Sequence, residues 1–420
     1  MYLKQILLLI AVCLLFSLSS YSQVTIGSDN MPSAGSLLDL KENNNSGANA
    51  LKGLGMPRVI LTNLKPANPT QLAASLGDKG NWSLEEHIGL LIYNVKQDMC
   101  ALEPIFEGLH VWDGAQWQLL NNNAKSSDVH IFNDPRDGEI YTYRRFGDAG
   151  IWMTQHMRAV KYSDGTPVAV YEGSNLPNPP DKGMYAYPLA GHPNWNVKPA
   201  RWRKEYGVFY NYPAATRDYQ GKGTNNQSQP DTTGIFGPNE IENDTSLPVD
   251  YRGRHIVQGI CPNGWHVPSD REWNELEKEI YWNADLYSNF TRDEVTAWNN
   301  ETPWDPAWEA HTKTQNRPLI ASTSAHGTAM ITKCPVDNII MSGKSKSAWQ
   351  GGFDVPLVGH LYNRSITNYG SIGIIMSASI LSHLQTRDRA LSNNDNTVQR
   401  GSIYKSNLIP VRCKKNDLNL

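Results

Sequence analysis

A surplus of positive charge is missing from this chain: 38 basic against 41 acidic side chains leave a formal net charge of -3 over 420 residues. Without that surplus there is no electrostatic attraction to a phosphate backbone, and nucleic acid is excluded as a partner. Cysteine is scarce, five in all. None forms a CxxC pair or has a His-rich companion, so a structural zinc site has no support. After the N-terminal start, no apolar run reaches the ~18 residues needed to cross a bilayer. Phosphate-cradling glycine loops and zinc-protease motifs are absent as well. His266 beside Trp265 invites a general-base role, yet no Ser or Cys nucleophile with a matching partner accompanies it. The carboxylate pairs Glu272 with Glu275 and Asp305 with Glu309 prove nothing, because glycosidase pairs are set in space and not by spacing along the chain. The sequence therefore assigns no catalytic residue, no cofactor and no metal ligand.

What is present begins with MYLKQILLLIAVCLLFSLSSYSQ: Lys4 as a short basic head, an apolar run from Ile6 to Phe16, and small residues at Ser20 and Ser22. That pattern predicts a signal peptide over residues 1–22, cut before Gln23. Cys13 follows Val12 where a lipoprotein signal needs a small residue, so it reads as part of the apolar run. The mature chain is expected to be exported, extracellular or on the outer surface, with the periplasm as the other site. Cys100, Cys261, Cys334 and Cys413 remain, an even number in an oxidising compartment, where disulfides are the default. Three pairings are open at this point.

The length exceeds the ~250–300 residues at which single cores stop growing, so two domains are expected. Residues 23–120 read as a β-rich N-terminal module, with a strand over Ile88 to Asn94 and a hairpin at WDGAQW, where Asp113-Gly114 accepts the positive φ of a tight turn. Residues 121–130 are polar and aperiodic, a linker. Residues 131–415 form the second domain. It opens with a hairpin around Ile140 to Met153 and carries two loop-like insertions, 172–200 and 218–250.

GICPNGWHVPSDREWNELE, from Gly259 to Glu277, is the most informative stretch. Pro262-Asn263-Gly264 is turn chemistry. Ser269 with Glu272 spells a capping box, and Trp273, Leu276 and Ile280 fall on one face of the helix that follows. Between Asn283 and Pro318, Trp298, Trp304 and Trp308 stand among Asp, Asn and Pro, either as an exposed stacking surface for a ligand or as a seal of the segment onto the core. Asn393-Asn394-Asp395-Asn396 is oxygen-rich but lacks the spaced carboxylates of a calcium loop, and reads as a solvated turn. The fold class expected is α+β, a β-rich module followed by a mixed domain with long loops.

Two resemblances follow from these residues. SLLDL, GMPRVILT, GLLIYN and WDGAQW together resemble the N-terminal region of many secreted or surface proteins of Bacteroidetes-type bacteria, similar in places to phage tail-fibre segments. The resemblance implies a module that presents something else. The second domain resembles the Fibrobacter succinogenes major paralogous domain family (FISUMP). The carriers are Trp152-Met153, Lys161 to Pro167, Tyr206 to Tyr212, Cys261 to Ser269, Gly352-Phe353 and Val411-Arg412-Cys413. That resemblance implies a fold similar to C-type lectin-like and sulfatase-modifying-factor domains, and a Cys261 to Cys413 disulfide tying the chain's end to the body. Cys100 and Cys334 are left as a cross-domain pair or two free thiols. Ile375-Met376-Ser377 stands where many members show Trp-Ser-Ser, which puts an aromatic site there in doubt. Gln229-Pro230-Asp231 spells a galactose tripeptide of some calcium-dependent lectins, but it lies upstream of the signature helix and reads as coincidence.

The function expected from all this is that of a non-enzymatic, adhesin-like surface protein binding a glycan or a host or surface protein. The alternatives are an enzyme acting on polysaccharide or resembling sulfatase-modifying factors, and a structural fibre or trimer component.

Overall fold

The computed structural model describes residues 24–101, 103–120, 126–189, 194–217, 241–309, 315–318 and 326–419. The expected signal peptide and Gln229-Pro230-Asp231 lie outside the described residues. The chain is α+β and divides into two compact units.

The first unit comprises residues up to Leu61, Lys65–Lys96 and Glu107–Gln118. Its core is a four-stranded sheet, Arg58–Val59, Leu91–Asn94, Gly108–Trp112 and Trp117–Leu119, in that order. The strand expected from Ile88 starts later, because Ile88 and Leu90 donate to the Glu85 and His87 carbonyls in a turn. A helix at Pro69–Ser75 starts where the Asn68 side chain accepts from the Gln71 N–H and proline occupies the first turn, two features that favour helix initiation. Trp112 and Trp117 are buried 5.6 Å apart, their indole N–H groups donating to the Leu84 carbonyl (2.8 Å) and to Ser75 Oγ (3.1 Å). At the turn between them, Asp113 Oδ1 accepts from the Ala115 and Gln116 N–H groups, and Gly114 sits at φ +99.

Ahead of this sheet the chain has almost no interior. From residue 24 to residue 60 the sole buried side chain is that of Lys41. Strands β1 (Val24–Ile26) and β2 (Leu38–Leu40) pair in parallel, Val24 opposite Leu38 and Ile26 opposite Leu40. Residues facing each other across a ladder share a face. All four aliphatic side chains therefore lie on one side, and they remain 51, 57, 51 and 38 % exposed in the order Val24, Ile26, Leu38, Leu40.

The second unit comprises Thr62–Leu64, Gln97–Phe106 and Leu119 onward. It contains a five-stranded sheet in the order Trp265–His266, Lys414–Lys415, Ile151–Met153, Ile140–Arg145, His130–Asn133. A four-stranded sheet runs Gln315–Arg317, Val398–Tyr404, Gln385–Ser392, Ile372–Ile380. The long helix Asp270–Tyr287 has its capping box in place, with Ser269 Oγ accepting from the Glu272 N–H (3.2 Å) and Glu272 Oε2 accepting from the Ser269 N–H (2.9 Å). Trp273, Leu276 and Ile280 are fully buried, Trp273 against Trp152 (5.1 Å) and Phe353 (5.8 Å).

Another part of the same helix is buried too, although it is charged. Asp270 bonds Arg389 (2.6 Å) and Arg400, and Glu277 bonds Arg317 (2.9 Å) and Arg389. Asn274 Oδ1 accepts from both Arg317 (2.8 Å) and Arg389 (2.7 Å). The four-stranded sheet supplies these guanidiniums, and buried charges are tolerated when they are paired and hydrogen-bonded.

Candidate functional site

The signature stretch is built as structure. Cys261 is bonded to Cys413, with Cα atoms 5.8 Å apart. His266 is fully buried, its Nδ1 2.8 Å from Asn416 Oδ1 and its Nε2 3.0 Å from both Glu272 oxygens. Burial pushes the Glu272 carboxyl up, but His266, Lys414 (2.8 Å) and Arg254 outweigh it and hold the group well below the ordinary range. The imidazole is held between the Asn416 amide oxygen and the Glu272 carboxylate, out of reach of solvent, and orients the turn.

One opening of the second unit is a shallow cleft whose about 440 Å³ of empty space includes open solvent, with room inside for roughly one water molecule. Met99, Pro104, Pro335, Val336 and Pro356 give it apolar lining, and Trp349 is half-buried there, edge-to-face with Phe106 at 6.3 Å. The polar lining is mostly planar: Gln155, Arg203, Glu205 and Asp354. Arg203 is held by the Cys100 carbonyl (Nη1, 2.8 Å) and the Ala101 carbonyl (Nη2, 2.9 Å), with its Nε 3.4 Å from Glu205 Oε2. Neither that Nε nor that Oε2 has a hydrogen-bond partner. Asp354 sits at φ +52, an uncommon backbone conformation for a non-glycine residue. Its Oδ2 accepts from the Ala348 N–H (2.9 Å), whereas its Oδ1 lies near Thr332 without hydrogen-bonding geometry. Burial raises the Asp354 carboxyl above its usual range, against the opposing pull of Thr332, the Ala348 N–H and Arg412. The Arg412 guanidinium, lowered to about 9 by burial, donates to the Phe353 and Asp354 carbonyls instead of to the carboxylate.

One margin of the cleft is covalently fixed. Cys100 is bonded to Cys334, Cα atoms 5.1 Å apart, which ties the 97–106 segment to the Thr332 to Val336 region. Of the two options left open for these cysteines, the bonded pair is the one formed; contacts in space group 97–106 with the second unit, so the bond lies within that unit. The lining includes no histidine, and its hydroxyls are engaged, Ser347 with Gln350 (3.1 Å) and Thr332 with the Cys334 N–H (3.1 Å).

The family model of the Fibrobacter succinogenes major domain matches residues 148–415. The chain belongs to this family. A second model, the phage tail like trimerisation region, matches residues 25–130. No curated protein and no solved structure matches the chain.

Within the Fibrobacter succinogenes major domain, the three tryptophans flagged as ligand aromatics are turned inward. Trp298 lies on a helix, Arg292–Glu301, started by a Thr291–Glu294 capping box. Trp308 lies on the short turn Pro306–Glu309. Trp298, Trp304 and Trp308 are all buried, with ring centres 6.4, 5.5 and 5.9 Å from that of Tyr281. The Trp298 indole donates to the Tyr281 carbonyl and that of Trp304 to Glu309, both at 2.9 Å. The exposed stacking surface is thus replaced by a seal onto the core, because aromatic area of this size gains more from burial than a polar segment gains from displaying it. Asn393 to Asn396 is a turn whose oxygens serve the protein itself: Asn393 Oδ1 accepts from Ser342 (2.6 Å), Asp395 from Thr397 and Asn316, and Asn396 from Thr328. The cleft residues Arg203, Glu205, Trp349 and Asp354 carried no motif. The only local signal was Trp349 just ahead of the Gly352-Phe353 landmark of the domain.

Proposed function

We propose that this is an exported, non-enzymatic surface protein in which the N-terminal unit joins three chains and each C-type lectin-like second domain acts as a binding head for a glycan or a protein partner. The observation that carries the reading is the uncovered apolar face of β1 and β2, in a segment similar to a phage tail like trimerisation region. A two-stranded parallel ladder of three residues a side is too small to stand alone in water. Val24, Ile26, Leu38 and Leu40 stay 38 to 57 % exposed among the described residues, and further along Leu37, Leu51, Leu54 and Ile60 are exposed as well. Copies of the same segment provide a matching apolar face, and closed symmetric assemblies satisfy all such faces at once. Export is supported by the leader-like start and the two disulfides, which persist in oxidising compartments. No described helix is long and apolar enough to cross a membrane.

Light scattering on the mature protein, residues 23–420, tests the assembly. A mass three times that of the chain is expected, and a strict monomer at micromolar concentration would sink the reading. An enzymatic alternative acting on polysaccharide draws on the two carboxyls Glu205 and Asp354 in one cleft. Release of reducing ends from a polysaccharide panel, abolished by Glu205→Gln, is the result that would favour it.

A further inference from the structure

We propose that residues 97–101 and 103–106 form a redox-sensitive strap on the second unit: the Cys100–Cys334 bond holds it shut, and a dithiol reductant opens it while the Cys261–Cys413 bond stays closed. The two bonds differ in access. Cys261 and Cys413 are both fully buried, whereas Cys100 and Cys334 are each half-buried. Thiol–disulfide exchange needs a thiolate to reach a sulfur, so access separates a bond sealed in the core from one at the surface. A dithiol acts in two steps. One thiolate attacks a sulfur of the pair and displaces the other sulfur as a thiolate; the reductant's second thiol then closes on the mixed disulfide. Two electrons and two protons pass to Cys100 and Cys334, and the reductant leaves as a cyclic disulfide.

What the bond holds is a short segment whose hydrogen-bonded ladder is its own. Asp98 and Ile105 exchange two main-chain bonds (2.8 and 2.9 Å), and the Cys100 N–H donates to Asp98 Oδ1 (2.9 Å). Beside the sulfurs, the strap meets the rest of the unit through side chains: Arg203 on the Cys100 and Ala101 carbonyls, Gln350 on Gln97 (3.3 Å), and the Phe106 ring against Trp349. Met99 and Pro104 share the cleft lining with Tyr206, Val336, Trp349 and Pro356, and with the strap in place that space admits roughly one water. A segment with few buried apolar contacts opens at low cost once its covalent tie is cut. The strap is also the loop of a hairpin whose strands, Leu91–Asn94 and Gly108–Trp112, pair from Leu91 with Val111 to Asn94 with Gly108. Those pairs stay made when the loop lifts, so opening requires no other element to unfold. It uncovers Met99 and Ile105, 8 and 1 % exposed while the strap is shut, and turns a nearly filled seam into an open apolar groove.

The test is stepwise reduction of the folded mature protein, residues 23–420, with dithiothreitol at neutral pH, each step quenched with iodoacetamide and mapped by peptide mass spectrometry. Cys100 and Cys334 should be alkylated at least ~10-fold faster than Cys261 and Cys413. Hydrogen exchange on the singly reduced protein should show peptides spanning 97–106 losing protection, the helix Asp270–Tyr287 keeping its own, and re-oxidation reversing the change. The double variant Cys100→Ser with Cys334→Ser should show the same open strap with no reductant present. Equal rates at the two bonds, or earlier loss of the Cys261–Cys413 bond, overturn the proposal. So does reduction that leaves exchange at 97–106 where it was, or that releases the helix together with the strap.

Discussion

Shortening Leu38 to alanine should weaken the proposed trimer by an amount that the exposed face of β2 defines. The change removes three carbon atoms, ~2.4 kcal/mol at ~0.8 kcal/mol per buried methylene. Leu38 is 51 % exposed in the single chain, so about half of that sum is left to be gained by association. This is ~1.2 kcal/mol per chain and ~3.6 kcal/mol over three chains. At 1.4 kcal/mol per factor of ten, the trimer dissociation constant rises ~400-fold. The concentration of half-assembly varies as the square root of that constant for a trimer, so it should rise ~20-fold. Sedimentation velocity or mass photometry over a dilution series reads this midpoint directly. The control is Leu286→Ala, the same residue type at 52 % exposure on the long helix of the second unit, which should leave the midpoint where it was. If Leu38→Ala moves it less than Leu286→Ala does, the β1–β2 face is not the seam.

Removing the Cys261–Cys413 bond as the double serine variant should cost ~5 kcal/mol in the chain-entropy model for its separation of 152 residues, read by guanidinium unfolding. A loss under ~1 kcal/mol would contradict that account. Trp304→Ala should cost ~3–5 kcal/mol of stability as a core truncation and leave glycan binding by the folded fraction unchanged; the reverse pattern would restore this tryptophan as a ligand aromatic. Asp270→Asn strands part of a buried guanidinium cluster and should cost ~3–5 kcal/mol, measured by urea unfolding at pH 7. The pH dependence has two parts of opposite sign. Burial raises Asp270 and Glu277, but Arg400 with Arg389, and Arg317 with Arg389, outweigh it, setting Asp270 well below the ordinary range and Glu277 at about 2. Their stabilisation is complete above the unfolded carboxyl value of ~4 and should be lost as pH falls through the lower folded values. Burial instead pushes Asp388 up to about 7, so this group costs stability as pH rises from ~4 toward 7, and Asp388→Asn should flatten the stability curve in that window.

Local chemistry was readable in advance and spatial chemistry was not. Ser269 with Glu272 and Asp113 with Gly114 act within three residues of themselves, so turn and cap appear where the spelling places them. Thr291 with Glu294 is an equally good capping box, but the Asn, Asp and Pro around Trp298, Trp304 and Trp308 drew attention to a loop and hid the helix. Asp270 and Glu277 gave no hint of burial, since carboxylates on an amphipathic helix face water unless partners come from elsewhere. Here the partners are Arg317, Arg389 and Arg400, far along the chain. The cleft is the extreme case, because it gathers segments around residues 99–104, 155, 203–206, 332–336 and 347–356 that no local pattern connects. Residues 97–106 read as part of the N-terminal module from sequence, and their contacts in space are with the second unit.

The Cys100–Cys334 bond also decides how the molecule carries a load. Tension applied between the N-terminal unit and the C-terminus passes from residue 100 straight across the sulfurs to residue 334, a separation of 234 residues along the chain. The intervening length, with the long helix Asp270–Tyr287 and the five-stranded sheet's inner strands Ile140–Arg145 and Ile151–Met153, lies outside that covalent path. A chain pulled at its ends would leave residues 101–333 slack, and reducing this bond alone would put residues 100–261 in series with the pull, because the Cys261–Cys413 bond still bypasses the stretch between its own sulfurs.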